Sequence, residues 1–408
     1  MSQPWSTDQW FVSPWNFVDE VRSAFSFPPK VRLHDVSLRD GEQQAGITFT
    51  KDDKIRIAEK LAEVGVHRIE AGMPAVSPQD AAAITELAKR DLGPEIFAFS
   101  RCMVEDVKRA VDCGVKGIVI EIPSSDHMIQ YAYRWPLERA IELSIEATSF
   151  ARDNGLYTVF FPIDASRAPI NWFLDLIQRV ATEGHMDALA VVDTFGGLAP
   201  STVPYLIRKI KERIDKPLEA HFHDDFGMAA ANTVLALASG CEVAHTTVSA
   251  IGERAGNAPY EDVAMGLLLL YGVDLGLRTE KLYQTSKLVQ SLAGVDVRPN
   301  RSVTGDKLFK VESGIIAGWL KNVGQEHLLE ATPYLPSLVG QTGPEVVLGK
   351  NSGLPSVELW LDRLGLKATE EEETLILEKV KEKAFDKKGL LTEADFMEIV
   401  RRAKGTSR

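Results

Sequence analysis

His221 and His223, separated by one residue, are the pair with the clearest capacity for chemistry in this chain. Residues two apart on a β-strand point to the same face, so both imidazoles can bind one ion. A carboxylate oxygen of Asp40, in the run SLRDGEQQAG, and a carbonyl oxygen of Asn257, in IGERAGNAPYED, would add oxygen ligands. This mixed shell suits Zn, Mn, Mg or Co and does not distinguish among them. We therefore predict a divalent-metal site here.

A cation at this point would chelate neighbouring oxygens of a 2-oxo acid and polarise its carbonyl group for attack by a carbon nucleophile. Arg39, next to Asp40, offers a guanidinium to the same oxygen or to an enolate. An ion pair between Arg39 and Glu70 is a second role that does not exclude the first. The residues thus predict formation or cleavage of a carbon-carbon bond beside a carboxylate.

The histidine pair alone is also compatible with two ordinary hydrogen-bonded residues, so the surrounding pattern matters. Between Val31 and about Val273, short apolar β-type runs alternate with helical patterns, as in repeated βα units around a parallel sheet. The β-type runs are VRLHDVSL from Val31, HRIEA from His67, IFAFS from Ile96, GIVIEI from Gly117, YTVFF from Tyr157, DALAVVD from Asp187, LEAHF from Leu218 and VAHTTVS from Val243.

Eight such units in about 245 residues predict an α/β fold, a (β/α)8 TIM barrel over residues 31–275. A doubly wound open sheet is the alternative, although it seldom needs eight successive units. In a TIM barrel, catalytic groups lie at the carboxyl ends of the strands. The polar residues at these ends are Arg39 and Asp40, Glu70, Ser100 and Arg101, the run PSSDHM, Asp193 and Thr194, and His221 to Asp225.

The barrel is flanked by two other segments. Residues 1–30 are rich in Trp and Phe, and we expect this extension to pack on the barrel or on a partner subunit. Residues 276–408 are predicted to form a small, mostly helical C-terminal domain, with clear helical periodicity and an acidic helix start from Thr369.

Composition excludes several classes of function. The formal net charge of -12 argues against nucleic-acid and anionic-membrane partners, which attract basic faces. No run of about 18 apolar residues predicts a membrane span. The three cysteines suggest neither a disulfide framework nor a zinc finger, and we expect a cytoplasmic enzyme acting on small molecules.

Five separated motifs resemble, in order and spacing, the metal-dependent acyl-CoA enzymes that include 2-isopropylmalate, homocitrate and citramalate synthases and 3-hydroxy-3-methylglutaryl-CoA lyase. The motifs are HDVSLRDGEQQAG, HRIEAGMPAVSPQD, SSDHM, HFHDDFGMAAANT and IGERAGNA. The segment YLPSLVGQTGPEVVLGKNSG resembles the synthases' region after the barrel, which the lyase lacks.

The resemblance implies an acyltransferase that carries out a Claisen-type condensation of acetyl-CoA with a 2-oxo acid, followed by thioester hydrolysis. It also implies a homodimer that uses a divalent metal and takes acyl-CoA as a co-substrate. The alternative is a lyase or aldolase that cleaves a 3-hydroxy-acyl-CoA or a 4-hydroxy-2-oxo acid.

The same resemblance implies that Asp40, His221, His223 and Asn257 are metal ligands, that Arg39 stabilises the carbonyl or enolate, that Thr194 contacts the substrate carboxylate and that Gly252, Glu253, Arg254 and Gly256 form an acyl-CoA loop. We further predict substrate contacts at Arg39, Gln43, Arg101 and His127 and catalytic roles for Arg39, Glu70, Asp164 and Tyr334.

Two segments depart from the synthase pattern. Where the synthases carry Phe-x-His-Glu-x-Gly-Ile-His, this chain reads FKVESGII, so Val311 and Ile316 replace both histidines. Ile163 lies close to the position where the synthases have a glutamate near the end of strand five. Valine and isoleucine carry no proton, so another base must act or the reaction differs. The candidates are Asp164, His127, Glu312 and Tyr334, and a non-catalytic paralogue that binds a ligand is a third possibility.

Overall fold

All eight predicted β-type runs form strands of one closed parallel barrel in the computed structural model, which describes residues 3–405. Successive strands pair with one another, and the eighth closes the barrel against the first. The (β/α)8 barrel is therefore confirmed. The strands are β1 (Arg32–Asp35), β2 (Arg68–Glu70), β3 (Glu95–Arg101), β4 (Gly117–Pro123), β5 (Tyr157–Ile163), β6 (Ala188–Asp193), β7 (Leu218–Phe222) and β8 (Val243–Thr246).

The barrel interior is filled by alternate residues of the strands. Phe99, Val119, Val159 and Phe161 belong to one buried cluster inside the barrel. Residues of the same strand that point inward are two positions apart, as Val159 and Phe161 are. Residues between them, such as Ile120, are equally buried on the outer face. This explains the continuous apolar runs in the sequence, because both faces of a parallel barrel strand are covered.

Helices follow the strands around the barrel, and several begin and end at residues suited to those positions. Thr50 forms a capping box with Asp53 at the start of the first long helix, and Gly65, with φ 96°, ends it. The helices of this unit are α1 (Asp19–Arg22), α2 (Lys51–Val64), α3 (Pro78–Lys89), α4 (Val104–Cys113), α5 (Leu137–Asp153), α6 (Ile170–Glu183), α7 (Val203–Lys211), α8 (Ala229–Ala238), α9 (Tyr260–Gly266) and α10 (Leu282–Ala293).

The chain divides into two compact units, Pro14–Val297 and, for the second, the residues before Pro14 together with those from Arg298 onward. This differs from the predicted bounds of 31–275 and 276–408 because α10 belongs to the barrel unit. Its Ser286 hydroxyl lies 2.6 Å from the hydroxyl of Ser249, which follows β8.

The second unit is mostly helical, as predicted. Its core includes Trp360, Ile376, Val380 and Phe396, and the side chain of Thr369 caps its longest helix within a capping box. Its elements are β9 (Lys310–Val311), α11 (Gly314–Val323), β10 (Glu345–Val346), α12 (Leu354–Arg363), α13 (Glu370–Lys387) and α14 (Glu393–Gly405).

The aromatic N-terminal segment is split between the units. Trp10 forms an isolated β-bridge with Tyr334 in the second unit, whereas Phe25 and Phe27 pack their rings 5.3 and 5.5 Å from Tyr271 in the barrel unit. Met1 and Ser2, at the start of the predicted extension, lie outside the described residues. Among residues 3–405, no helix has the length and apolar character needed to cross a membrane.

Candidate active site

Asp40, His221 and His223 meet at the carboxyl end of the barrel, and all three are buried. The Nε2 atoms of His221 and His223 lie 3.2 and 3.8 Å from Asp40 Oδ2 and 3.4 Å from each other. A point equidistant from the three atoms is about 2.0 Å from each, which is the ligand distance of zinc or magnesium. The three side chains therefore fit one small divalent cation.

Asn257 adds an oxygen that has no other use in the described part of the chain. Its backbone pairs with that of His223, and its buried Oδ1 makes no hydrogen bond within residues 3–405. A buried carbonyl oxygen without a donor costs free energy unless a ligand or water satisfies it. Its position is thus consistent with the predicted role of further ligand.

The hydrogen bonds of the two histidines direct their Nε2 lone pairs towards Asp40. The Nδ1 of His223 lies 3.2 Å from the carbonyl oxygen of Gly256, which can only accept a hydrogen bond. The Nδ1 of His221 lies 3.3 Å from Nδ1 of His245. Hydrogen on both Nδ1 atoms leaves both Nε2 atoms free to bind an ion.

Behind His221 lies a buried chain of hydrogen-bonded polar side chains that was not among the predicted features. The Nε2 of His245 donates to Glu219 Oε2 over 2.7 Å, and Glu219 Oε1 accepts from Nη1 of Arg68, also over 2.7 Å. The only signal was spacing: Glu219 precedes His221 by two on β7 and so points inward with it.

Electrostatics keep the cluster in the protonation state that metal binding requires. Burial alone would raise the pKa of Asp40, but Arg39 and the two histidines hold it well below its usual range. Burial lowers the pKa of His221 to about 3, against the opposing effect of Asp40. At neutral pH the site therefore presents a carboxylate and a neutral imidazole.

Arg39 lies between Asp40 of the metal cluster and Glu70, the last residue of β2. Its guanidinium lies 3.9 Å from the centre of the Phe99 ring, is hydrogen-bonded to Glu70 through Nε and lies 3.2 Å from Asp40 through Nη1. The same Nη1 donates to Gln43 Oε1 over 3.3 Å. The Nη2 atom is buried and has no hydrogen-bond partner among residues 3–405, so it remains a donor for a bound oxygen.

The predicted acyl-CoA loop is held at its base by close backbone contacts. Gly256 has φ 87°, and a Cβ there would lie 1.8 Å from the carbonyl oxygen of Ala250, so only glycine fits. Arg254 donates to Asp225 Oδ1 over 2.8 Å and to the carbonyl oxygen of Thr194. Gly252 N approaches Gln44 Oε1 at 3.4 Å. The loop is thus tied to the ends of β6 and β7.

Asp164, which follows β5, is fully buried, and its carboxylate has several hydrogen-bond partners. Its carboxylate accepts hydrogen bonds from Arg167 through two nitrogens and from Ser125, and its backbone N–H donates to Thr194 Oγ1 over 2.7 Å. His127, with a side chain 41% exposed, places Nε2 3.5 Å from Asp164 Oδ2. A carboxylate so engaged orients its neighbours and is poorly placed to accept a proton.

The remaining predicted residues have other partners. Arg101 ends β3 but is bound through Nε and Nη2 to Asp106 on α4, at 2.6 and 3.2 Å. Tyr334 and Glu312 belong to the second unit, where the Tyr334 ring lies 5.8 Å from Phe309 and Glu312 accepts from the backbone of Asn351.

A cavity of about 390 Å³ opens beside Arg39 and Gln43. Gly72 and Met73, which follow β2, line its other side, and Lys54 forms part of its wall. The Lys54 ammonium lies 2.6 Å from a carboxylate oxygen of Glu42 and of Asp80, so its charge is compensated. The lining includes Arg39 but none of Asp40, His221 and His223, so this cavity adjoins the site only through Arg39.

Comparison with known proteins adds a family match. The sequence profile of the HMGL-like family matches residues 30–289. A homocitrate synthase of Methanothermobacter thermautotrophicus is 34% identical over 397 residues, 97% of this chain and 99% of the relative. An (R)-citramalate synthase of Methanocaldococcus jannaschii is 37% identical over 377 residues, 92% of this chain and 75% of the relative.

Among solved structures, the HMG-CoA lyase of Bacillus subtilis superposes with a TM-score of 0.59. It is 22% identical, and the match covers 66% of this chain and 96% of the lyase. At that identity the likeness concerns the fold, and it agrees with the barrel described above.

Proposed function

The chain belongs to the HMGL-like family, and from that premise we propose that it condenses acetyl-CoA, or a related acyl-CoA, with a 2-oxo acid and then releases CoA. The relatives with similarity over nearly the whole chain are synthases of this acyl-transferring type. A homocitrate synthase and an (R)-citramalate synthase resemble it to a similar degree, 34% and 37% identical, so the proposal names the substrate class and not one acid.

The observation that carries the proposal is the triangle of Asp40, His221 and His223 with a free guanidinium nitrogen of Arg39 beside it. A divalent cation in the triangle would polarise the carbonyl group of a 2-oxo acid. Arg39 Nη2 can donate to the oxygen on which negative charge develops during carbon attack. Phe99 and Glu70 fix the guanidinium in that position.

Other residues have supporting roles in this proposal. The hydroxyl of Thr194 accepts the backbone N–H of Asp164 and can donate its own hydrogen to a substrate carboxylate. The loop from Gly252 to Asn257 would receive the thioester. Glu70 and Gln43 would position Arg39, and His127 would contact substrate. Tyr334 stays a candidate from the second unit, and a homodimer and a cytoplasmic location stay expectations from the sequence.

The test is release of free CoA by the metal-stripped protein after addition of Mg, Mn, Zn or Co, with acetyl-CoA and a panel of 2-oxo acids from pyruvate to 2-oxoglutarate. We expect CoA release to require both a 2-oxo acid and a metal. Asp40→Asn should abolish it, whereas Asp52→Asn on the exposed face of α2 should not.

Two results would count against the condensation. If no combination releases CoA while the protein binds metal, the proposal is wrong. If acetyl-CoA, acetoacetate or pyruvate instead forms from a 3-hydroxy-acyl-CoA or a 4-hydroxy-2-oxo acid, the protein works as a lyase or aldolase.

A further inference from the structure

Glu121 lies on β4 two residues after Val119, which belongs to the interior cluster with Phe99 and Phe161. Because side chains alternate along a strand, Glu121 also points into the barrel, nearer its carboxyl end. The residue is half-buried, and its carboxylate makes no hydrogen bond or ion pair with any residue in the described range 3–405. An inward carboxylate without a partner needs an explanation.

The neighbours of Glu121 are those of the metal site. It pairs in the sheet with Arg101 on β3 and with Phe161 on β5, and the Phe161 ring lies 4.8 Å from that of His221. Burial raises the pKa of Glu121, while Arg39 and Arg101 act in the opposite direction. Glu121 therefore shares the space around Arg39 without being paired to it.

The other inward carboxylates near the mouth are paired or fully buried. Asp40 and Glu70 are paired with Arg39, and Asp164 with Arg167. The second oxygen of Glu70, Oε2, accepts no hydrogen bond within residues 3–405, but Glu70 is fully buried and this oxygen lies 3.8 Å from Nε2 of His34. The side chain of Asp193 accepts hydrogen bonds from Ser166 and from two backbone N–H groups. A group that must take up a proton from substrate needs a free lone pair, and Glu121 has one.

We propose that Glu121 is the catalytic base that removes a proton from the methyl carbon of acetyl-CoA. This inference rests on the condensation proposed above. The Glu121 carboxylate takes the proton, and the electron pair of the broken C–H bond forms the enolate. The enolate carbon then bonds to the carbonyl carbon of the 2-oxo acid, whose oxygen takes a proton from water. Hydrolysis releases CoA, and Glu121 returns its proton to solvent.

The proposal also accounts for the apolar residue at the end of β5. Ile163 pairs in the sheet with Pro123, two residues beyond Glu121. The resemblance to the synthases places a glutamate near Ile163. In this chain the carboxylate of Glu121, on the adjacent strand, can occupy the space which that glutamate would fill.

The experiment compares Glu121→Gln, Glu121→Asp and His127→Gln with the wild-type protein, and uses Glu146→Gln on the exposed face of α5 as the matched control. CoA release with acetyl-CoA and the best 2-oxo acid is measured from pH 5.5 to 9. Deuterium entry into the acetyl-CoA methyl group is followed by NMR in D2O. Metal affinity is measured by calorimetry, and folding by thermal melting.

We expect Glu121→Gln to lower kcat by about 10²- to 10⁴-fold, with KM changed less than about 3-fold, and to abolish the acidic limb of the pH profile. Deuterium entry should fall in parallel, while metal affinity and Tm stay near wild type. Glu121→Asp should restore part of kcat. If Glu121→Gln misfolds, a fall in kcat and deuterium entry in a folded Glu121→Asp supports the inference.

The inference is overturned if the wild type is active and Glu121→Gln keeps kcat within about 3-fold. It is also overturned if His127→Gln alone abolishes deuterium entry, which would make His127 the base. If the wild type releases no CoA with any 2-oxo acid, it is the proposed function itself that fails.

Discussion

Two buried clusters in the barrel contain the same residue types, two histidines and one carboxylate, yet their contacts differ. In the outer cluster, Asp40 Oδ2 faces two imidazole nitrogens. In the inner cluster of His34, Glu219 and His245, the carboxylate is bound by His245 and by Arg68. Both carboxylates have a guanidinium beside them, Arg39 for Asp40 and Arg68 for Glu219, but only in the outer cluster do two imidazole Nε2 atoms also face the same carboxylate oxygen.

The difference shows that a set of metal-ligating residue types does not by itself make a metal site. Arg68 Nη1 and His245 Nε2 each take one oxygen of Glu219, so few lone pairs remain for an ion. The inner cluster instead supports the outer one through the contact of His245 with His221. Function follows from which atoms remain unpaired.

The largest effect that separates the clusters should come from Asp40→Asn. The amide keeps the shape of the side chain but removes the charge that binds the cation, so metal binding should be lost and kcat/KM should fall about 10³-fold or more. Calorimetric titration with Mg and Mn checks this, with Asp52→Asn as control. Full metal stoichiometry in Asp40→Asn would refute the assignment of the outer cluster.

Arg68→Met should have the next largest effect, on folding stability. Arg68 is 2% exposed and lies 4.8 Å from the centres of the Phe97 and Tyr157 rings, so its loss leaves Glu219 charged and buried. We expect the free energy of unfolding to fall by about 3–5 kcal/mol. Urea denaturation measures it. Arg68→Met with Glu219→Met should recover much of the loss, and a single-variant loss below about 1 kcal/mol would contradict the compensation described.

A smaller effect, on metal affinity, is expected at the contact between His245 of the inner cluster and His221 of the outer one. His245→Phe keeps a ring but removes the nitrogen that fixes the hydrogen on His221 Nδ1. Metal affinity should therefore fall by about 10- to 100-fold, since such supporting bonds orient the ligand. Titration with Co, which also reports ligand geometry by its visible spectrum, measures this change. The exposed His327→Phe in the second unit serves as control; an unchanged affinity and spectrum in His245→Phe would show that His221 needs no such support.

These two clusters also mark the limit of prediction from sequence. The βα alternation predicts a barrel in which the carboxyl ends of the strands meet, and this rule brings Asp40 to the His221–His223 pair. Arg68 and Glu219 lie inside the barrel, away from those ends, where no such rule predicts which side chains pair across it.

The surroundings of Arg101 and Glu121 could not be predicted from the sequence. Arg101 was predicted as a substrate contact from its place at a strand end, but Asp106 on the next helix binds it. Glu121 sits in the apolar run GIVIEI and had no predicted role; the place of Val119 in the interior cluster shows that Glu121, two residues later, also points inward. Strand periodicity gives the direction of a side chain, and the partners must come from the structure.

The smallest effect should come from His34→Phe. Both ring nitrogens of His34 are buried without a hydrogen bond in the described part of the chain, and the ring packs edge-on against Phe97 with centroids 4.9 Å apart. A phenyl ring fits this apolar contact and removes two unsatisfied atoms, so the free energy of unfolding at pH 7.5 should change by about 1 kcal/mol or less.

The same variant should respond differently to acid. Burial, followed by His245 and Arg68, holds the pKa of His34 well below its ordinary value. Its folded state therefore binds a proton less readily than its unfolded state, so stability present above the unfolded pKa, near 6.5, is lost as pH falls towards the folded pKa. Without that group, His34→Phe should lose less stability than wild type between pH 7.5 and 5, measured by urea denaturation of the metal-free proteins. Equal losses would mean that His34 already carries its proton in the folded protein, stabilised by Glu70 Oε2, 3.8 Å from its Nε2, and by Glu219 Oε2, 4.0 Å from its Nδ1.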